Sequence, residues 1–216
     1  MMNVKSLVTS LAIGILTLAG GDASAEAPNV TVKGFDNGRV RLVRGSQRAE
    51  INLGPDISGC KGRLHDPMTK EESENGLTFE VVDETVKAPY TYVVLLASAS
   101  PNCNVQGACG AGGPDSTLLW LKLTRDLKLA GKKAVVFEQC STDRQVRLEK
   151  KKGSTGDGAD GFTGIKARDL SWMGDVLRIE YEEGFQEPVR VQSVVYDRRN
   201  PEAGLTVVAV AGPHGM

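Results

Sequence analysis

From residue 30 onward, apolar and polar side chains alternate in short runs, with glycine or polar clusters breaking them about every eight to twelve residues. That spacing predicts an all-β fold, an antiparallel sandwich or barrel-like sheet of about eleven strands. The first hundred residues hold the clearest signals. Val30-Thr31-Val32-Lys33 leads into Asp36-Asn37-Gly38, and the chain continues as Arg39 to Arg44, Gly45-Ser46-Gln47 and Arg48 to Leu53. Asn-Gly between extended runs predicts a tight hairpin, because both turn residues tolerate positive φ. Val40 and Leu42 alternate with Arg39 and Arg41, and Ile51 and Leu53 alternate in the same way with Glu50 and Asn52. The result is a three-strand meander with one wet face.

Leu77 to Val81 alternates as a half-buried strand. Tyr90 to Ala97 and Leu118 to Leu123 are apolar at both parities, which predicts central strands covered on both faces. Thr124 to Lys133 is expected to turn the chain so that Ala134 to Phe137 returns as a hairpin. Gln145 to Lys150, Val176 to Tyr181, Val189 to Tyr196 and Leu205 to Val210 complete the strand count. One short helix is predicted near 66–75. Asp66 can cap it, Pro67 suits its first position, Glu71 and Glu72 complement its dipole, and Asn75-Gly76 stops it.

Two stretches fit neither strand nor short turn. Ser98 to Ser116 is rich in Gly, Ala, Ser and Asn, and loops of that length are either functional or tied down. Gly153 to Gly164 is the candidate flexible loop or domain boundary. A single β-rich domain over 26–216 is the favoured organisation, since the strands after 164 would make a thin core alone.

The first twenty-five residues read differently from the rest. Met1 to Lys5 is a short positive leader, Leu7 to Ala19 is apolar, and Ala23-Ser24-Ala25 supplies small side chains at a cleavage site. The apolar run is too short to span a hydrocarbon core of roughly 30 Å. Residues 1–25 are therefore expected to be a cleaved signal peptide, and the mature chain to be periplasmic or secreted. No later apolar run approaches about 18 residues without charge, so no membrane span is expected. Nor do the strands repeat an outward apolar band with aromatic girdles. The formal net charge of −1 offers no field to hold nucleic acid.

In an oxidising compartment the four cysteines, Cys60, Cys103, Cys109 and Cys140, predict two disulfides. Their pairing stays open: Cys103–Cys109 with Cys60–Cys140 competes with Cys60–Cys103 and Cys109–Cys140. A zinc site is not expected, because there is no Cys-x-x-Cys spacing and His65 stands five residues from Cys60.

Candidate chemistry is sparse. His65 opens the predicted helix without a Gly-x-Ser-x-Gly elbow, and His214 lies in a terminal segment. Asp157 and Asp160 imitate a calcium loop but lack its further donors. Cys109-Gly110-Ala111-Gly112-Gly113 lacks the Gly-Lys-Ser/Thr continuation of a phosphate loop. Lys150-Lys151-Lys152 reads as a solvated strand end, and Asn29-Val30-Thr31 is a sequon only in a eukaryotic host. Glu71, Glu72, Glu74, Asp83, Glu84, Glu182 and Glu183 could supply paired carboxylates, yet aromatics for stacking sugars are only 5% of the chain. Trp120 is expected in the core and Trp172 is a candidate contact residue. No catalytic, metal or cofactor residue is assigned, and no cofactor is expected.

The leading reading is an exported, disulfide-stabilised, non-catalytic binding or cell-envelope accessory protein whose partner is another envelope or extracellular protein. Its surface would lie on the Ser98–Ser116 loop, with Trp172 or the Gly153–Gly164 loop nearby. The alternative is an extracytoplasmic hydrolase using paired carboxylates. A third reading, a subunit pairing through a strand edge, needs an unprotected edge. The charges along Arg39–Arg44 and Gln145–Lys150 count against it.

Overall fold

Strands account for nearly all the regular structure in the computed structural model, which describes residues 30–34, 36–61, 63–65, 72–101, 115–139, 144–146, 165–184 and 189–210. Outside those residues lie the leader (1–25), Asn29, Cys103, Cys109, the 109–113 glycine run, Cys140, Lys150–Lys152, the 153–164 stretch with Asp157 and Asp160, and His214.

Among the described residues three antiparallel sheets, beside a separate two-stranded ribbon, form an all-β sandwich. The first sheet is the predicted meander, β1 (Thr31–Gly34), β2 (Arg39–Arg44) and β3 (Gln47–Asn52). Asn37 and Gly38 do take positive φ, 63° and 72°, at its first turn. The central sheet runs β6 (Leu77–Lys87), β7 (Tyr90–Ala99), β8 (Asp115–Leu123) and β9 (Leu129–Glu138) in sequential order. The last sheet is ordered β10 (Arg144–Val146), β12 (Val176–Glu183), β13 (Arg190–Asp197) and β14 (Thr206–Ala209), with β11 (Trp172–Met173) also paired to β12.

Two cores fall on opposite faces of the central sheet, and the period of two divides them. Val93, Leu95, Ala97 and Ala99 of β7, with Leu119, Leu121 and Leu123 of β8, pack against Val40, Leu42, Ile51 and Leu53 of the first sheet. Tyr92, Val94 and Leu96, with Leu118 and Trp120, pack against Leu177, Ile179, Tyr181, Val194 and Tyr196 of the last sheet. This is why these two strands are apolar at both parities: each face is covered by another sheet. Removing such a side chain from water contributes roughly 1.5–3 kcal/mol. Among the described residues no helix is long and apolar enough to cross a membrane.

The structure corrects several sequence expectations. No helix forms over 72–75; those residues are β5 (Glu72–Asn75), paired through a bulge with β4 (Arg63–His65), while 66–71 lie outside the described residues. Capping signals alone rarely hold a two-turn helix that has no apolar stripe to bury, and a ribbon satisfies the same backbone groups. With β4, β5 and β11 the described strands number fourteen rather than about eleven. The Ser98–Ser116 loop is shorter than predicted, because Ser98 and Ala99 extend β7 and pair with Ser116 and Asp115 of β8. Likewise β9 begins at Leu129, so the turn from β8 is confined to Thr124–Lys128. Leu127 closes that turn with its side chain buried in the first core.

Candidate functional site

Two polar clusters hold the three layers together, and both contain residue types that chemistry could use. The first sits at the end of the central sheet where β7 and β8 meet the 102–114 segment. Gly59, at φ +81°, passes so close to β7 that a Cβ there would lie 2.5 Å from the Ser100 carbonyl oxygen. That approach lets the buried Cys60 donate its amide to the Ser100 carbonyl at 2.6 Å. Ser58 donates to the Asp115 carboxylate at 2.5 Å and accepts from Gln139 Nε2 at 2.8 Å. Ser116 donates to Glu138 Oε2 at 2.7 Å.

Asp115 and Glu138 lie on the neighbouring strands β8 and β9, near enough for the Asp115 charge to act on the Glu138 carboxyl, and neither stands out in the sequence. Parity separates them. Asp115 shares the parity of Leu119 and faces the first core, whereas Ser116, opposite Glu138, shares the parity of Trp120 and faces the second. Two carboxylates on opposite faces of a sheet do not flank one substrate bond.

Burial is the main cause that raises the Glu138 carboxyl above its ordinary 4.5; the Ser116 hydrogen bond opposes this and the Asp115 charge adds to it. A raised folded-state pKa means that Glu138 favours the fold fully below pH 4.5, and that this contribution is lost as pH rises through the raised value. Glu138→Gln is therefore expected to be more stable than the parent at neutral pH, with the gap closing in acid. Urea midpoints measured from pH 3.5 to 8 read this out, and parallel curves would refute it.

The second cluster is built by a bulge in β6. The register with β7 steps from Val81↔Leu95 to Asp83↔Val94, so Val82 is the extra residue. Before the bulge, odd positions such as Phe79 and Val81 face the first core; after it, Asp83 and Thr85 face the second. There Asp83 Oδ2 accepts from Thr85 at 2.9 Å and from the Tyr196 hydroxyl at 3.0 Å, while Oδ1 accepts from Arg198 at 2.9 Å. Burial, with the Asp83 charge beside it, pushes the Tyr196 phenol above its usual range, so it stays protonated and donates. The Arg198 guanidinium also lies 4.1 Å from the centre of the Trp172 ring, which meets Tyr196 edge-on at 6.3 Å.

Trp172 is thus half-buried, gripped by the second core and by Arg198, and its neighbour Met173 is 59% exposed. Trp120 is a core residue as expected. The other proposed acids are scattered. Glu84 Oε2 accepts the Val30 amide at 2.8 Å, and Glu183 accepts from Arg144 at 2.6 Å and from Gln192 at 2.7 Å. Glu182 lies at the β10-paired end of β12, Glu72 and Glu74 lie in β5, and Glu71 is outside the described residues. His65 ends β4 opposite Glu72. A concavity on the first sheet, lined by Arg41, Arg48, Ala49 and Glu50, is shallow and closed on itself by the Arg41–Glu50 ion pair at 2.6 Å. No protein-family model, curated protein or solved structure matches this chain.

Proposed function

We propose that this chain is an exported, disulfide-clamped binding protein of a cell envelope or extracellular space, without catalysis of its own. The use made of its acids carries the reading. Asp83, Glu84 and Glu183, three of the carboxylates available for paired-acid hydrolysis, each bridge separate strands instead of facing one another across a cleft. The positive leader, apolar run and small-residue cleavage site over residues 1–25 support export.

Convergence at one end of the sandwich supports the disulfides. Cys60 is hydrogen-bonded to Ser100, three residues before Cys103, and Ser58 is bonded to Gln139, one residue before Cys140. Non-reducing peptide mapping of the mature protein is expected to find no free thiol and two bridges; four free thiols would overturn that part.

Trp172 and Met173 are the contact residues of this reading, an aromatic anchor on a rigid sheet beside an exposed, adaptable thioether. The mature protein, mixed with the envelope fraction of its producer, is expected to recover one stoichiometric partner. Met173→Asp, a surface change that leaves the fold intact, should weaken recovery at least tenfold. Turnover of an envelope polymer with no partner recovered would reverse the proposal in favour of the hydrolase.

A further inference from the structure

We infer that β14 is a pairing edge, through which two copies of this chain join their last sheets into one continuous antiparallel sheet with its two-fold axis at Val208. The inference rests on the fold and stands apart from the export and binding readings above.

Sheet edges are normally protected by charge, proline or cover. The other edge strands longer than two residues among the described residues follow that rule: Lys33 lies on β1, Arg48 and Glu50 on β3, Arg63 on β4, Glu72 and Glu74 on β5, Glu80 and Glu84 on β6, Lys132 and Lys133 on β9, and Arg144 on β10. β14 does not. Thr206-Val207-Val208-Ala209 carries no charge, all four residues are exposed, and Val207 and Val208 are 44% and 41% exposed. The segment before it is firmly seated: Pro201 accepts from Trp120 Nε1 at 2.8 Å, Lys133 donates to the Ala203 carbonyl at 2.6 Å, and Leu205 is buried in the second core. A rigid anchor therefore presents an exposed strand whose outer edge pairs with no other strand among the described residues.

Register decides what that strand offers. Val210 donates its amide to Val191 at 2.9 Å, so the residues two and four places earlier, Val208 and Thr206, also bond toward β13. The amides and carbonyls of Val207 and Ala209 are then the ones that point outward. A second β14 can answer them only in antiparallel sense if both copies are to be equivalent, with Val207 opposite the partner's Ala209 and Val208 opposite the partner's Val208. That register makes four backbone hydrogen bonds. It also sets the two Val208 side chains against each other as a close, non-hydrogen-bonded pair.

The outward face near the edge suits this. Ser193 and Val195 of β13 pair with Val208 and Thr206 and so share their face with Val191; Ser193 is itself buried there, and β13 and β14 place no charge on that face until Asp197 at the far end. The net charge of −1 per copy sets up little repulsion between two chains. Such an isologous contact closes on itself, and its short edge puts it in the reversible, concentration-dependent class.

Sedimentation velocity of the purified mature protein, from about 10 μM to about 1 mM, tests the inference. The expected result is a monomer–dimer equilibrium with no larger species. Val207→Pro removes one outward amide and leaves the bonds to β13 in place, so it should keep the parent's near-UV circular dichroism and stay monomeric. Val208→Lys and Val208→Asp should each be monomeric, and an equimolar mixture of the two should dimerise again. A parent that stays monomeric throughout the range overturns the inference. So does a dimer that persists in Val207→Pro and in both Val208 variants, because it would use another surface.

Discussion

Trp120→Ala is expected to lower the unfolding free energy by about 3–5 kcal/mol, the range for truncating a buried aromatic. The indole joins three elements. Its ring stacks on Tyr92 at 5.8 Å, Gly204 lies against its face, and its Nε1 donates to the Pro201 carbonyl at 2.8 Å. Truncation opens a cavity in the second core and leaves a buried carbonyl without its donor, so the transfer and hydrogen-bond losses add. Trp120→Phe separates them, because it keeps most of the volume and removes only the donor. The lesser variant should lose about 1–3 kcal/mol. Urea denaturation followed by circular dichroism measures both, and a Trp120→Ala loss under about 1 kcal/mol would mean that the last sheet is not packed on the central one as described. The same variant should loosen the 201–205 anchor that presents β14, so dimerisation should weaken together with stability.

Asp83→Ala is expected to cost about 3 kcal/mol, because it removes the acceptor of three donors at once, those of Thr85, Tyr196 and Arg198. The Asp83 side chain is only 8% exposed, and it holds Thr85, Tyr196 and Arg198 at once. Arg198 itself is 37% exposed, which moderates the ionic part of the loss. Asp83→Asn should recover part of the stability, since an amide oxygen still accepts from Tyr196 but cannot balance Arg198. A double-mutant cycle with Tyr196→Phe should show a coupling of about 1 kcal/mol or more, whereas independent sites would add within about 0.5 kcal/mol. Additive behaviour would remove Asp83 as the clamp between β6 and the last sheet.

Both substitutions bear on the proposed contact surface. Arg198 is the residue that links Asp83 to Trp172, since it bonds the carboxylate and covers the indole. Removing Asp83 should therefore free Arg198 and change how Trp172 sits beside Met173, with weaker partner recovery in the envelope experiment. The candidate site and the sandwich share the same fastening.

Side-chain periodicity by itself determined most of the strands and showed that β7 and β8 lie inside. The alternation of Val40, Leu42, Ile51 and Leu53 against charged neighbours reports a sheet with one wet face, and Asn37-Gly38 reports its turn. The unbroken apolar runs of β7 and β8 report layers on both sides, because a strand exposes its two faces at alternate residues and only burial of both removes the polar half of the pattern. Tertiary structure alone decided the rest. Val82 looks like any other residue of an apolar run, yet as the bulge it reverses the phase of β6, sending Asp83 to Tyr196 and Arg198 and leaving Glu84 for the Val30 amide. Residues 72–75 pair as a ribbon despite good capping chemistry, and Asp115 and Glu138 come close only because β8 and β9 are neighbours. In each case the outcome depends on the register against a strand distant along the chain. Local pattern carries the two-residue period of a strand, but it holds no record of which partner that strand meets or where an extra residue shifts the count.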